Sequence, residues 1–329
     1  LRCPLTPKRV LQEMTRIETH EAYGRVLNAA KKEKRETAVL RYLCLSDLFF
    51  LLVRVCGRTD LDTDWHFERC MDVQREPDGC VDVWPREHGK SSIITFGKTV
   101  QDILANPEER FGFFSNTRPL AKDHLMPIMY EFEENSKLKA LFPDILYANP
   151  KRQARKWSED DGFIVKRKGN YIEATVEASG LIDGLKTGAH YTVLVWDDIV
   201  NERSVFTPEQ TLKTMDSFRA STNLKTQGAR FRVVGTYYDF ADPYVQIVEE
   251  GILKERKFAA TDDGTEIGTP LYFSPDELAS RRKTNTPYQF ACQYLLNPKN
   301  FKSHHCLLTR NIHSINLLRL RPLNPIIVY

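Results

Sequence analysis

Three short groups in this chain have residue types suited to chemistry: His88-Gly89-Lys90-Ser91, Asp197-Asp198 and Gly235-Thr236. Each closes a short apolar, strand-like run. A Gly-Lys-Ser turn between a strand and a helix offers backbone N–H groups and a helix N-terminus to a phosphate. In that reading Lys90 reaches the β and γ phosphates of a nucleotide, and Ser91 places its hydroxyl on Mg²⁺. The full phosphate-loop pattern begins with glycine six residues before the lysine. Trp84 stands there instead, so the strict pattern fails, and a solvated lysine at a helix start is the alternative. Asp197 can hold Mg²⁺ through water or Ser91, and Asp198 can polarise an attacking water. Their alternative is a pair of solvated loop aspartates. The Thr236 hydroxyl can sense a γ phosphate, although Gly-Thr at a strand end says little alone.

The elements that must position these groups are legible around them. Residues 8–32 and 36–56 are rich in Glu, Lys, Leu and Ala and read as helices, and 64–74 as another. Strand patterns at 80–84, 110–115, 191–196 and 230–234 alternate with helical patterns at 93–104, 120–134 (Pro127 a kink) and from Thr207-Pro208, an N-cap followed by a first-turn proline. Such alternation predicts a mainly parallel sheet with crossover helices. Two strands at 162–165 and 171–176, joined at Lys168-Gly169-Asn170, read as a hairpin. Further strands are expected over 251–273, then helices from Ser274-Pro275 and over 287–296.

Length and composition bound the answer. At 329 residues, 41% hydrophobic and 28% charged, the chain supports roughly two domains, or one large α/β domain with attachments, and a sizeable core. No apolar run approaches the roughly 18–20 residues that span a bilayer, and 48–53 fits a buried helix. Net charge is only +3, from 47 basic and 44 acidic side chains. Basic clusters at Lys151, Arg152, Arg155, Lys156 and Lys166, Arg167, Lys168, and from Arg281 to Arg321, can touch phosphates or be solvated faces. Seven cysteines lack CxxC spacing, which suggests reduced thiols. His304, His305 and Cys306 adjoin one another, but three consecutive residues rarely chelate one metal.

In order along the chain, these residues resemble the ATPase half of the large terminase subunit of tailed bacteriophages. The resemblance runs over roughly 60–300. Its parts are Trp65 to Cys70, the deviant phosphate loop from Trp84 to Ser92, the strand–loop–helix at 110–124, the approach to the acidic pair at 180–198, the segment 235–244 and the closing segment 287–298. It implies an ASCE-type P-loop NTPase, with a central, mainly parallel sheet flanked by helices and an N-terminal helical extension. The implied division is 1–60 helical, 61–300 ATPase and 301–329 an irregular tail. Pro85, Arg86, Glu87, His88, Gly89, Lys90, Ser91 and Ser92 would form the ATP phosphate loop, with Ser91 and Asp197 on Mg²⁺. Asp198 would be the catalytic carboxylate, Arg86 would contact the γ phosphate from the same subunit, and Gly235 and Thr236 would couple hydrolysis to movement. The implied partners are double-stranded DNA, a portal protein and a small terminase subunit. The chain would form a homo-oligomeric ring in the host cytoplasm, transiently on a procapsid.

One departure stands out. The family normally continues into a nuclease built on a carboxylate cluster, and beyond Glu277 this chain has no acidic residue. The expectation is therefore a packaging ATPase without its own nuclease. A helicase-like translocase and a truncated prophage remnant that binds without turnover are the alternatives. Arg203, Arg219, Arg230 and Arg232 are candidates for a finger reaching a neighbouring subunit, with ion pairing the plainer reading. Trp196, Tyr237 and Tyr238 read as packing residues, and an adenine pocket is expected loosely around 62–70.

Overall fold

Tyr191–Asp197 forms a strand whose alternate residues serve two different cores. Val193 and Val195 pack with Phe111, Phe113, Ile93 and the N-terminal helices. Leu194 and Trp196 pack with Phe114, Val233, Met215 and Phe218 on the other face. A strand covered on both faces has no polar side, which is why its centre, Val193 to Trp196, is continuously apolar.

The computed structural model describes residues 14–186 and 188–298. Cys3, His304, His305, Cys306, the basic residues from Lys299 onward and the tail 301–329 lie outside the described residues. Eight strands form one sheet: β1 Cys80–Val83, β2 Phe111–Ser115, β3 Trp157–Ser158, β4 Gly162–Phe163, β5 Val176–Gly180, β6 Tyr191–Asp197, β7 Lys225–Gly235 and β8 Lys254–Lys257. Their order is β3-β4-β5-β2-β6-β7-β1-β8. From β5 to β8 every pairing is parallel, while β3–β4 and β4–β5 are antiparallel. One strand, β7, therefore lies between β1, which leads into Lys90, and β6, which ends at Asp197. This is the ASCE arrangement of the P-loop NTPase fold, and it brings all three candidate groups to one edge, at the carboxyl ends of adjacent strands.

Helices cover both faces. Arg16–Lys32 opens with a Thr15–Glu18 capping box. Glu36–Ser46 ends at Asp47, whose side chain caps the following turn at Phe50. The single helix expected over 36–56 is thus broken there, and the chain continues through Leu48–Phe50 into a π-helical Leu51–Val55. Leu48 to Leu52 are fully buried. Cys44, Cys56, Cys70, Cys80 and Cys292 are free thiols.

Two further expectations are corrected. The expected pairing of 162–165 with 171–176 is present but short: Phe163 of β4 pairs antiparallel with Val176, where β5 begins, and β4 pairs on its other side with β3. Backbone donors at Lys168 and Gly169 are taken by Glu108, 2.7 and 2.9 Å away, and Arg167 donates to the Glu173 carbonyl at 2.6 Å. Those side-chain bonds hold the segment as a loop. Over 251–273 the structure has β8 and one isolated bridge, Thr261 to Pro270. Three Asp or Thr side chains there satisfy local backbone groups instead of a ladder.

Gly112 on β2 is demanded by packing. A Cβ there would stand 2.5 Å from the ring of Tyr191, which is buried and tied to Glu177 by a 2.9 Å hydrogen bond. Gly112→Ala is expected to destabilise the fold by about 1–3 kcal/mol, read as a lower thermal midpoint.

Candidate functional site

The candidate phosphate loop is built on a bed of rings. Beyond β1, the Trp84 N–H donates to the Gly235 carbonyl at 3.2 Å and the Thr236 hydroxyl donates to the Trp84 carbonyl at 2.8 Å. The turn then uses two left-handed residues, Glu87 (φ 64°) and Gly89 (φ 75°). Gly89 is required twice over, because a Cβ would also lie 2.7 Å from His66 Nε2. Between them His88 turns inward, fully buried against Trp65, Tyr272 and Phe273. The Trp65 indole N–H donates to the His88 carbonyl at 3.3 Å. Glu87 is held by an ion pair to Arg281, whose guanidinium lies 3.9 Å from the Phe273 ring centroid.

Burial pushes the pKa of both His66 and His88 down to about 4, so both rings are neutral at neutral pH. Because the unfolded chain takes up those protons near the ordinary pKa of about 6.5, stability from this pair is present above pH 6.5. It is lost as pH falls towards 4, by roughly 2–3 kcal/mol per histidine. The thermal midpoint should fall across that window, and His66→Gln should flatten the slope.

The helix beginning at Lys90 runs through a π-helical Ser92–Lys98 into Thr99–Ala105. Lys90 Nζ lies 3.7 Å from Asp198 Oδ1. Asp198 has φ 49°, an outlier of the kind that gathers at functional positions, and its N–H donates to the Val234 carbonyl at 3.0 Å. Its carboxylate opens into the crevice, yet the surrounding walls desolvate it. That desolvation pushes its pKa above the ordinary carboxylate range; Lys90 pulls it back and the Asp197 charge pushes it further up.

Asp197 differs from its neighbour. It is buried, and Oδ2 accepts from the Thr95 hydroxyl at 2.6 Å, with His124 Nδ1 3.5 Å away. Oδ1 is buried without a hydrogen-bond partner. An orphaned carboxylate oxygen beside a phosphate loop fits a divalent cation that shares its charge. Among the described residues no group of three or more His, Cys, Asp or Glu could hold a metal ion. Mg²⁺ is usually bound by one or two carboxylates together with substrate phosphates, and Asp197 Oδ1 is one such carboxylate oxygen.

Arg86 lies on the open side of the loop, and its guanidinium donates to the Tyr238 hydroxyl at 2.7 Å. Gly235 lies against Tyr244, whose ring atoms would stand 2.2 Å from an added Cβ. Ser92 accepts from Arg58 at 3.1 Å.

Solved structures similar to this chain include the large terminase of a thermophilic bacteriophage, at 15% identity and a TM-score of 0.41, over 66% of this chain and 47% of that one. The ATPase domain of the large terminase of a Thermus phage aligns at 14% identity and a TM-score of 0.40, over 68% of this chain and 90% of that one. An S. cerevisiae dbp5 structure aligns at 12% identity and a TM-score of 0.32, over 57% and 45%. The match spans about half the length of the first of these. That bacteriophage protein has also been solved with ADP and with ATP-gamma-S. The sequence matches no protein-family model and no curated protein.

Several other candidates have structural partners. Arg230 and Arg232 are paired with Asp78 and Asp102, and Arg219 with Glu250. Arg203 lines a cavity of about 520 Å³ with Asn116, Asn201, Gln210 and Lys213. In the basic loop, Lys151 pairs with Glu133 at 2.6 Å and Lys166 donates to the Pro143 carbonyl at 2.7 Å. Trp196 and Tyr237 are buried. Trp65, His66 and Phe67, where an adenine pocket was expected, are also buried; Trp65 and His66 lie against His88 and Gly89, and Phe67 against Phe49. Sequence reasoning missed Thr95 and His124 at Asp197. The signal for Thr95 was its place four residues past Ser91, one helical turn on and on the same face. No helix among the described residues is long and apolar enough to cross a membrane.

Proposed function

We propose that this chain is the ATP-hydrolysing motor subunit of a machine that packages double-stranded viral DNA into a procapsid. The observation that carries the ATPase reading is the meeting of Lys90, Asp198 and Asp197 at the carboxyl ends of β1 and β6, with Lys90 and Asp198 3.7 Å apart. In this reading residues 85–92 cradle the phosphates of ATP. Lys90 leaves Asp198 for the β and γ phosphates, and Ser91 and Asp197 hold Mg²⁺. Bound Mg²⁺ neutralises charge on the transferred phosphoryl group. Asp198, freed from Lys90 and kept basic by its desolvated crevice, accepts the proton of the attacking water. Arg86 swings from Tyr238 to the γ phosphate, and Gly235 and Thr236, bonded to the loop through Trp84, report its state to β7.

The packaging role rests on the ordered motif resemblance. It brings as partners double-stranded DNA, a portal protein and a small terminase subunit, with a homo-oligomeric ring acting in the host cytoplasm and on the procapsid. The test is ATP turnover by the purified chain with double-stranded DNA and portal-bearing procapsids, alongside unwinding of a forked duplex. DNA-dependent turnover with protection of DNA inside procapsids supports the proposal. Unwinding without a portal would move the chain to the helicase-like translocases. Nucleotide binding without hydrolysis would make it a remnant.

A further inference from the structure

The Asp197 carboxylate is held asymmetrically. Oδ2 takes the Thr95 hydroxyl at 2.6 Å, while Oδ1 is buried with no partner. The backbone is held as well, because the Ser115 hydroxyl donates to the Asp197 carbonyl at 2.6 Å. All three residues are buried, so the side chain has little freedom to rotate. Thr95 lies one turn beyond Ser91, in the π-helical segment that follows the loop. No hydrogen bond to the Ser91 hydroxyl is present among the described residues, and the bond to the strand-end carboxylate comes from Thr95 instead.

We propose that Thr95 is the positioning residue of the cation site: its hydroxyl occupies Oδ2 of Asp197 so that Oδ1 is presented to Mg²⁺, leaving Ser91 available to the cation. The inference rests on the ATPase reading above. Its physical basis is that a ligating carboxylate needs an outer partner to fix its orientation, and loss of such a partner commonly lowers metal affinity 10–100-fold. Thr95 touches neither nucleotide nor cation in this scheme. Its removal should change how metal binds while leaving metal-free nucleotide binding alone.

The test compares the full chain with Thr95→Val, Thr95→Ser and Thr95→Cys. Mn²⁺ binding in the presence of ATP-γ-S is read by the paramagnetic signal of the free ion, nucleotide binding in EDTA by fluorescence, and the Mg²⁺ dependence of ATP turnover by phosphate release. Thr95→Val should weaken Mn²⁺ binding about 10–100-fold, with nucleotide binding in EDTA unchanged. Thr95→Ser should remain within about threefold of the parent, and Thr95→Cys, a weaker donor, should fall between. Should Thr95→Val not fold, the Ser–Cys difference carries the same comparison. Parental metal affinity in the Val or Cys variant, or an equal loss with Ser, overturns the proposal. Absence of any metal-dependent nucleotide binding in the parent chain would overturn the ATPase reading along with it, and so is distinguishable from failure of this inference alone.

Discussion

Lys90→Ala is expected to lower kcat/KM for ATP by about 10²–10³-fold or more, the scale of losing one preorganised charge at a developing anion. Lys90 stands at the first helical residue after the loop, where backbone N–H groups already favour a phosphate, and its ammonium is the cation nearest Asp198 at 3.7 Å. Removing it has two consequences. The phosphates lose a point charge that no neighbouring side chain replaces, because Arg86 already has its own place at the γ phosphate in this reading. Asp198 also loses the charge that offsets its desolvation, which moves its carboxyl further above the ordinary carboxylate range. Lys90→Arg should not restore activity, since a planar guanidinium is not an interchangeable point charge. Phosphate release checks turnover, and thermal unfolding without nucleotide checks that the fold survives. Undiminished turnover in Lys90→Ala would remove the phosphate-loop reading.

Asp198→Asn should separate binding from chemistry. Loss of a general base is worth roughly 10²–10⁴-fold in kcat, while ATP affinity should hold or rise, because Lys90 is no longer shared with a carboxylate. The substitution suits the site. Asparagine tolerates the left-handed backbone that Asp198 adopts at φ 49°, and the N–H bond to Val234 is untouched. A loss of folding would therefore be unexpected, and a thermal melt checks it. Nucleotide titration beside single-turnover hydrolysis reads the split. If kcat is preserved while affinity falls, Asp198 is a binding residue and the base lies elsewhere.

Much of the site was legible because it is local in sequence. His88 to Ser91 lie on one turn, and Asp197 and Asp198 end one apolar strand. The interval between strand-like runs was also enough to expect a parallel sheet. Other features are long-range. The pairing of β1 with β7 rather than with β6 is a fact of topology, and so is the bond that Thr95 makes to Asp197 across more than a hundred residues. The loop at 166–175 has strand-like composition, yet Glu108 and Arg167 take the backbone groups a ladder would need. The break at Asp47 has the same origin, a side chain competing for backbone donors inside a helix-rich stretch.

The sequence by itself determined where the candidate groups stand, because strand ends, helix starts and glycine turns are set by local sterics and by the spacing of apolar residues. Only the tertiary structure decided what surrounds each of them. Asp197 and Asp198 are identical side chains one residue apart. One is buried and clamped by Thr95, and the other opens into the crevice towards Lys90. That difference comes from which elements pack against each carboxylate, which depends on burial and on partners distant in sequence.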